Sequence, residues 1–115
     1  MNDKNELSWN EFEKVEMRVG TIISANDFPE ARNPAFQLTI DFGPEIGILK
    51  SSAQITKRYT KEELAGKQII AVVNFPKKQI GKFMSECLVL GSVGLDNDIV
   101  LLSSESCVAN GLRIG

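Results

Sequence analysis

Asn74-Phe75-Pro76-Lys77-Lys78-Gln79-Ile80-Gly81-Lys82-Phe83-Met84-Ser85-Glu86 lies between two strand-prone apolar runs, Gln68 to Val73 before it and Cys87 to Leu90 after it. The segment itself reads as a loop carrying three lysines and two aromatic rings. Loops held between strands are where a rigid scaffold displays its binding groups. The rest of the chain reads as a small barrel that carries this loop.

Upstream, the hydropathy period identifies the strands. Val15, Met17, Val19, Thr21, Ile23 and Ala25 alternate with Glu16, Arg18, Gly20, Ser24 and Asn26, so the odd positions are expected to face inward. Gly20 suggests a bend or bulge. Asp27 to Ala35, with Pro29, Pro34 and Arg32, reads as a loop. A second strand follows, with Phe36, Leu38, Ile40 and Phe42 inward, and Ile48 to Ser52 is expected to pair back on it as a hairpin. Ala53 to Arg58 could form a helical turn or two, and Thr60-Lys61-Glu62-Glu63 has capping-box spacing for a short helix that Gly66 stops. Lys67 to Val73 supplies the fourth strand, Cys87 to Val93 the fifth, and Ile99 to Leu102 a short sixth. Before the first strand, Ser8-Trp9-Asn10-Glu11 is another capping box, which predicts a helix from about residue 8 to 15 with Trp9 and Phe12 on one side.

Three strands, a short helix and two more strands predict a mainly all-β chain: a five-stranded OB-fold Greek-key barrel with a helix between strands 3 and 4. We expect a single domain over residues 1–115, with its core at about 15–93. The N-terminal helix, about 8–15, and a C-terminal extension, about 99–115, lie outside the barrel.

Composition narrows the chemistry. The 115 residues are 43% hydrophobic and 24% charged, as in ordinary globular domains, and the net charge is -2. An anionic partner would therefore need a local basic patch. Two clusters are available: Lys57, Arg58 and Lys61, and Lys77, Lys78 and Lys82. The chain has no histidine, Cys87 and Cys107 form no paired motif, and no metal-ligand cluster or Gly-rich phosphate loop is present. We expect no enzyme activity, no cofactor and no metal. The absence of a signal-peptide order at Met1 to Glu6 and of a membrane-length apolar run leads us to expect a cytoplasmic protein without membrane insertion.

OB barrels bind on the face of strands 2 and 3, between the loops joining strands 1–2 and 4–5. Those loops contribute Arg32 on one side and Lys77, Lys78, Gln79 and Lys82 on the other, while Ser51, Ser52 and Gln54 come off strand 3. Lysines beside aromatic rings suit an RNA strand, since ammonium groups meet phosphates and rings stack on bases. The same segment offers Phe75, Ile80, Phe83 and Met84 as an apolar surface for an unfolded peptide.

Several blocks in order carry a family resemblance. They are Val15-Glu16-Met17-Arg18-Val19-Gly20-Thr21-Ile22, Phe28-Pro29-Glu30-Ala31-Arg32-Asn33-Pro34-Ala35-Phe36, Ser51-Ser52-Ala53-Gln54-Ile55, Val73 to Gly81, and Ser85-Glu86-Cys87-Leu88-Val89-Leu90-Gly91. With these blocks the chain resembles the CsaA family, dimeric bacterial members of the tRNA-binding OB domains. The resemblance implies a non-catalytic homodimer that binds tRNA, with Asn74, Lys77, Lys78, Ser85 and Glu86 matching the family's binding surface. It also implies an alternative role as an export-related chaperone for unfolded preproteins. In two places the chain departs from the synthetase-appended domains of the wider family. Ser52-Ala53-Gln54 replaces their usual Ser-Gly-Leu, and Phe28-Pro29-Glu30-Ala31-Arg32 replaces a His-Pro segment. Dimerisation through parts outside the barrel would give the N-terminal helix and the C-terminal extension a role, burying Trp9, Phe12, Leu112 and Ile114.

Overall fold

A computed structural model describes residues 5–115. Met1 to Lys4, part of the stretch read above for a signal peptide, lie outside the described residues. The central sheet contains β1 (Met17–Asp27), β2 (Phe36–Asp41), β3 (Ile48–Ala53), β4 (Gln68–Val72) and β7 (Leu88–Val89), in the order β3-β2-β1-β4-β7. All its pairings are antiparallel. The helix α2 (Lys61–Leu64) lies between β3 and β4 and buries Leu64 completely. This is the five-stranded OB barrel that the strand order predicts.

The alternation of β2 holds throughout: Phe36, Leu38, Ile40 and Phe42 are all buried, between Gln37, Thr39 and Asp41. β1 departs from the expected face. Its register against β2 shifts between Ile22 and Ser24, so Ile23 is extra, and it is 47% exposed while Ile22 is 1% exposed. Ile22 then pairs with Ile40 and Ala25 with Leu38, which keeps both on the core side of the bulge. Gly20 is therefore a point of close approach, and the bulge lies three residues later. Val19 is enclosed as well, beside the C-terminal tail: its N–H donates to Leu112 O (3.0 Å) and its carbonyl accepts from Gly111 N–H (2.7 Å). The tail thus covers an edge of β1 that β2 leaves unpaired.

Other boundaries also move. α1 (Trp9–Glu13) is shorter than expected, although both halves of its capping box form (Glu11 N–H to Ser8 Oγ 3.1 Å, Ser8 N–H to Glu11 Oε1 3.0 Å). Trp9 does not pack onto the barrel and is 83% exposed. Ala53 ends β3, and the residues after it form turns rather than a helix. The expected fifth strand is broken into β7 and β8 (Gly91–Val93), and β8 pairs with β9 (Ile99–Leu101) as an appended ribbon. Among the described residues no helix is long and apolar enough to cross a membrane.

Candidate nucleic-acid interface

The organising segment is more ordered than a loop. β5 (Lys78–Ile80) and β6 (Phe83–Ser85) form a two-stranded ribbon turning at Gly81, which has φ +59°. The ribbon packs down through Phe83, whose ring centroid is 5.2 Å from that of Phe28, with Lys50 Nζ 5.4 Å from the Phe83 ring. Phe28 is buried at the start of the Asp27–Ala35 loop, so the two loops flanking the binding face support each other. Phe83 is thereby engaged in packing, and Ile80 and Met84 are half-buried. Of the four apolar candidates, only Phe75 is largely open, at 53% exposure.

The barrel closes between β3 and the ribbon's exit through two side chains and one backbone bond rather than a continuous strand ladder. Lys50 N–H donates to Glu86 Oε1 (2.9 Å), Glu86 N–H to Lys50 O (2.7 Å), and Ser52 N–H to Ser85 Oγ (3.1 Å). Asn74 is fixed in the same manner, its Oδ1 accepting from Glu16 N–H (3.0 Å) and its Nδ2 donating to Lys14 O (2.6 Å). Three positions expected to contact RNA, Asn74, Ser85 and Glu86, therefore have backbone partners within the fold. Ser51 corrects a further expectation: at 1% exposure its hydroxyl is enclosed and cannot meet a ligand. Gln79 donates to Gly81 O (3.1 Å) and so braces the ribbon's turn.

The remaining RNA-contact candidates are basic or polar. Lys78, Lys82, Arg32 and Gln54 are outside the core, and Ser52 is half-buried. Lys77 is also exposed, but its ammonium lies 3.3 Å from Glu86 Oε2, whose side chain is only 16% exposed. The second basic cluster is committed elsewhere. Arg58 forks onto Asp98 (2.9 and 2.7 Å), holding that carboxyl below its ordinary range mainly through the hydrogen bond. Lys61 pairs with Asp27 (2.8 Å), and Lys57 donates to the carbonyls of Leu95 and Asp96 (3.4 and 3.2 Å). Of the two sequence clusters of like charge, the one on the ribbon thus leaves Lys78 and Lys82 without an ion-pair partner among the described residues, while every member of the other is bonded within the fold.

Three hollows adjoin one another, each sharing a lining residue with the next. Phe75, Pro76, Lys78, Ser85, Cys87 and Leu88 line the first. It shares Leu88 with a second that includes Ser52, Gln54 and Val93. That one shares Gln54 with a third, walled by Asn33, Pro34, Lys57 and Asp96. Lys78 and Ser52 are close in this arrangement, since Lys78 pairs with Ser85 in the ribbon and Ser85 bonds to Ser52. Arg32 adjoins Asn33 at the far end. Cys87 lies buried beneath, its thiol pushed up to about 12 mainly by burial, so it adds no negative charge to the groove. Sequence reading missed Lys50, Leu88 and Val93 as surface groups. Lys50 was readable as an outward position of β3, but the strand break at Leu90 hid the exposure of the other two.

Comparison with known proteins agrees with this architecture. Residues 17–113 match the family described as "Putative tRNA binding domain". The chaperone CsaA of Bacillus anthracis strain Ames superposes with a TM-score of 0.90 at 49% identity, covering 96% of this chain and 99% of that one. The CsaA chaperone of Picrophilus torridus gives 0.89 at 48%, covering 96% and 100%. A methionine–tRNA ligase of Chlorobium chlorochromatii is 30% identical over 113 residues, 96% of this chain but only 15% of the ligase's length. The matched family is a binding module rather than a catalytic one. The chain belongs to the tRNA-binding domain family and, within it, to the CsaA group.

Proposed function

We propose that the protein binds folded tRNA along the seam groove, as a non-catalytic cytoplasmic homodimer. The observation that carries this reading is the succession of three hollows linked by the shared residues Leu88 and Gln54. Lys78, without an ion-pair partner among the described residues, stands at one end, Ser52 and Gln54 line its middle, and Asn33, the sequence neighbour of exposed Arg32, walls the other end. Phosphates supply the affinity through the lysines, and the polar middle meets sugar and base edges.

Dimerisation has its own support. α1 and the tail meet where Arg113 Nη2 donates to Glu13 O (2.9 Å), beside a hollow of about 500 Å³ between Trp9, Phe12 and Ile114. Trp9 in its wall is 83% exposed, and Leu7 and Leu112, close in sequence to α1 and to the tail residues of the wall, are 67% and 50% exposed, apolar area that a second copy would cover. Two half-strength patches on one particle would raise avidity for an anion despite the net charge of -2.

Gel filtration with and without bulk tRNA tests both statements. The parent is expected to elute as a dimer and to co-elute with tRNA at low salt, separating as salt rises. Trp9→Ala is expected to shift the free protein toward monomer. A parent that stays apart from tRNA even at low salt contradicts the reading. A second use as a holder of unfolded preproteins, or as a contact for export machinery, is favoured by one observation: Phe75, Leu88 and Val93 leave apolar area open in the same groove.

A further inference from the structure

We propose that the hollow between Phe75 and Leu88 receives a single unstacked nucleobase of the bound RNA, with the adjoining phosphate on Lys78. The inference rests on the tRNA reading and deepens it, since it adds base capture to binding by shape and phosphate contact. The hollow has a volume of about 280 Å³, small beside ordinary ligand sites, and is walled by Phe75 at 53% and Leu88 at 48% exposure. An aromatic ring open on one face, beside an aliphatic side chain, is the arrangement on which a base stacks.

The rim is complementary to a nucleotide in charge and in hydrogen bonding. Lys78 has no ion-pair partner among the described residues, and no Asp or Glu lines the hollow. Ser85 Oγ already accepts from Ser52 N–H, so its own O–H proton remains to be donated, and it meets a carbonyl or ring-nitrogen acceptor on a base. Pro76 fixes the backbone beside the ring, and Asn74 ties it to the segment between α1 and β1 through Glu16 and Lys14, so the platform is built before RNA arrives. A paired base cannot enter, because its faces are stacked on its neighbours. The hollow therefore selects RNA with an unpaired, extrudable base.

Phe75→Leu keeps an apolar side chain of similar size and removes the stacking ring. Fluorescence anisotropy with full-length protein would compare bulk tRNA and a blunt, fully paired RNA duplex across a salt series. The expected result is a loss of about tenfold in tRNA affinity, unchanged duplex affinity and an unchanged salt slope. Lys78→Ala, in contrast, should weaken both RNAs and flatten the slope. Equal losses for both RNAs with Phe75→Leu, or no loss for either, would overturn base capture while leaving groove binding intact. Full RNA affinity together with loss of an apolar unfolded peptide would assign the hollow to peptide and equally overturn the proposal. If the parent binds neither RNA, the underlying function falls instead.

Discussion

Gly20→Ala is expected to destabilise the fold by about 3 kcal/mol, the upper end for overpacking a core. A Cβ at this position would lie 2.7 Å from Ile40 Cγ2 and 2.7 Å from Phe42 Cε1. Neither neighbour can yield easily, because both are 0% exposed and held in the centre of the barrel. Total stabilities of about 5–15 kcal/mol make such a loss large. Gly47→Ala is the control: its new Cβ meets nothing within 4 Å, so the cost comes only from φ +88° and should be about 1–2 kcal/mol. Urea denaturation should show a clearly lower midpoint for Gly20→Ala than for Gly47→Ala, at similar slopes. If Gly20→Ala unfolds within about 0.5 kcal/mol of the parent, the usual spread for surface changes, β1 does not cross β2 this closely.

Lys78→Ala is expected to lower tRNA affinity on the order of tenfold, the scale of one charge-assisted hydrogen bond. Lys77→Ala should cost less, although the two lysines are neighbours in sequence. Part of the Lys77 field is already offset by Glu86, 3.3 Å away, and RNA must draw the ammonium from that carboxylate. For every phosphate deprived of its lysine, the slope of log affinity against log salt should flatten by roughly 0.9 units or somewhat less. Affinity measured over a salt series separates the two variants. A larger loss for Lys77→Ala would mean that Glu86 positions this lysine for RNA rather than restraining it.

How far the sequence revealed the fold depended on how regular each element is. β2 could be read residue by residue because one of its faces is wholly apolar and nothing interrupts its pleat. β1 could not, because a bulge at Ile23 leaves composition unchanged while it moves the inner face from even positions, such as Ile22, to odd ones, such as Ala25. The ribbon was hidden for another reason. Its two strands have three residues each, too short for alternation to show, and Gly81-Lys82 was the only sign of the tight turn. At the site, sequence supplied identities but not directions. Asn74, Ser85 and Glu86 are polar residues in the right segment, yet their side chains complete backbone hydrogen bonds that the broken strand pairing leaves open. Lys57, Arg58 and Lys61 look like a basic patch until Asp98, Asp27 and two carbonyls are brought to them by the fold. Such pairings join residues about 34 to 40 positions apart, beyond what local patterns encode.

Amide chemical-shift mapping on the labelled full-length protein during a tRNA titration would test the central claim most directly. The account predicts the first and largest changes at Phe75, Lys78, Ser52, Gln54, Leu88 and Asn33, with the Ser103–Cys107 segment, which lines a separate hollow with Tyr59 and Lys67, unaffected. Changes concentrated at Ser103–Cys107 and absent along the seam, or no changes at all at low salt, would contradict it.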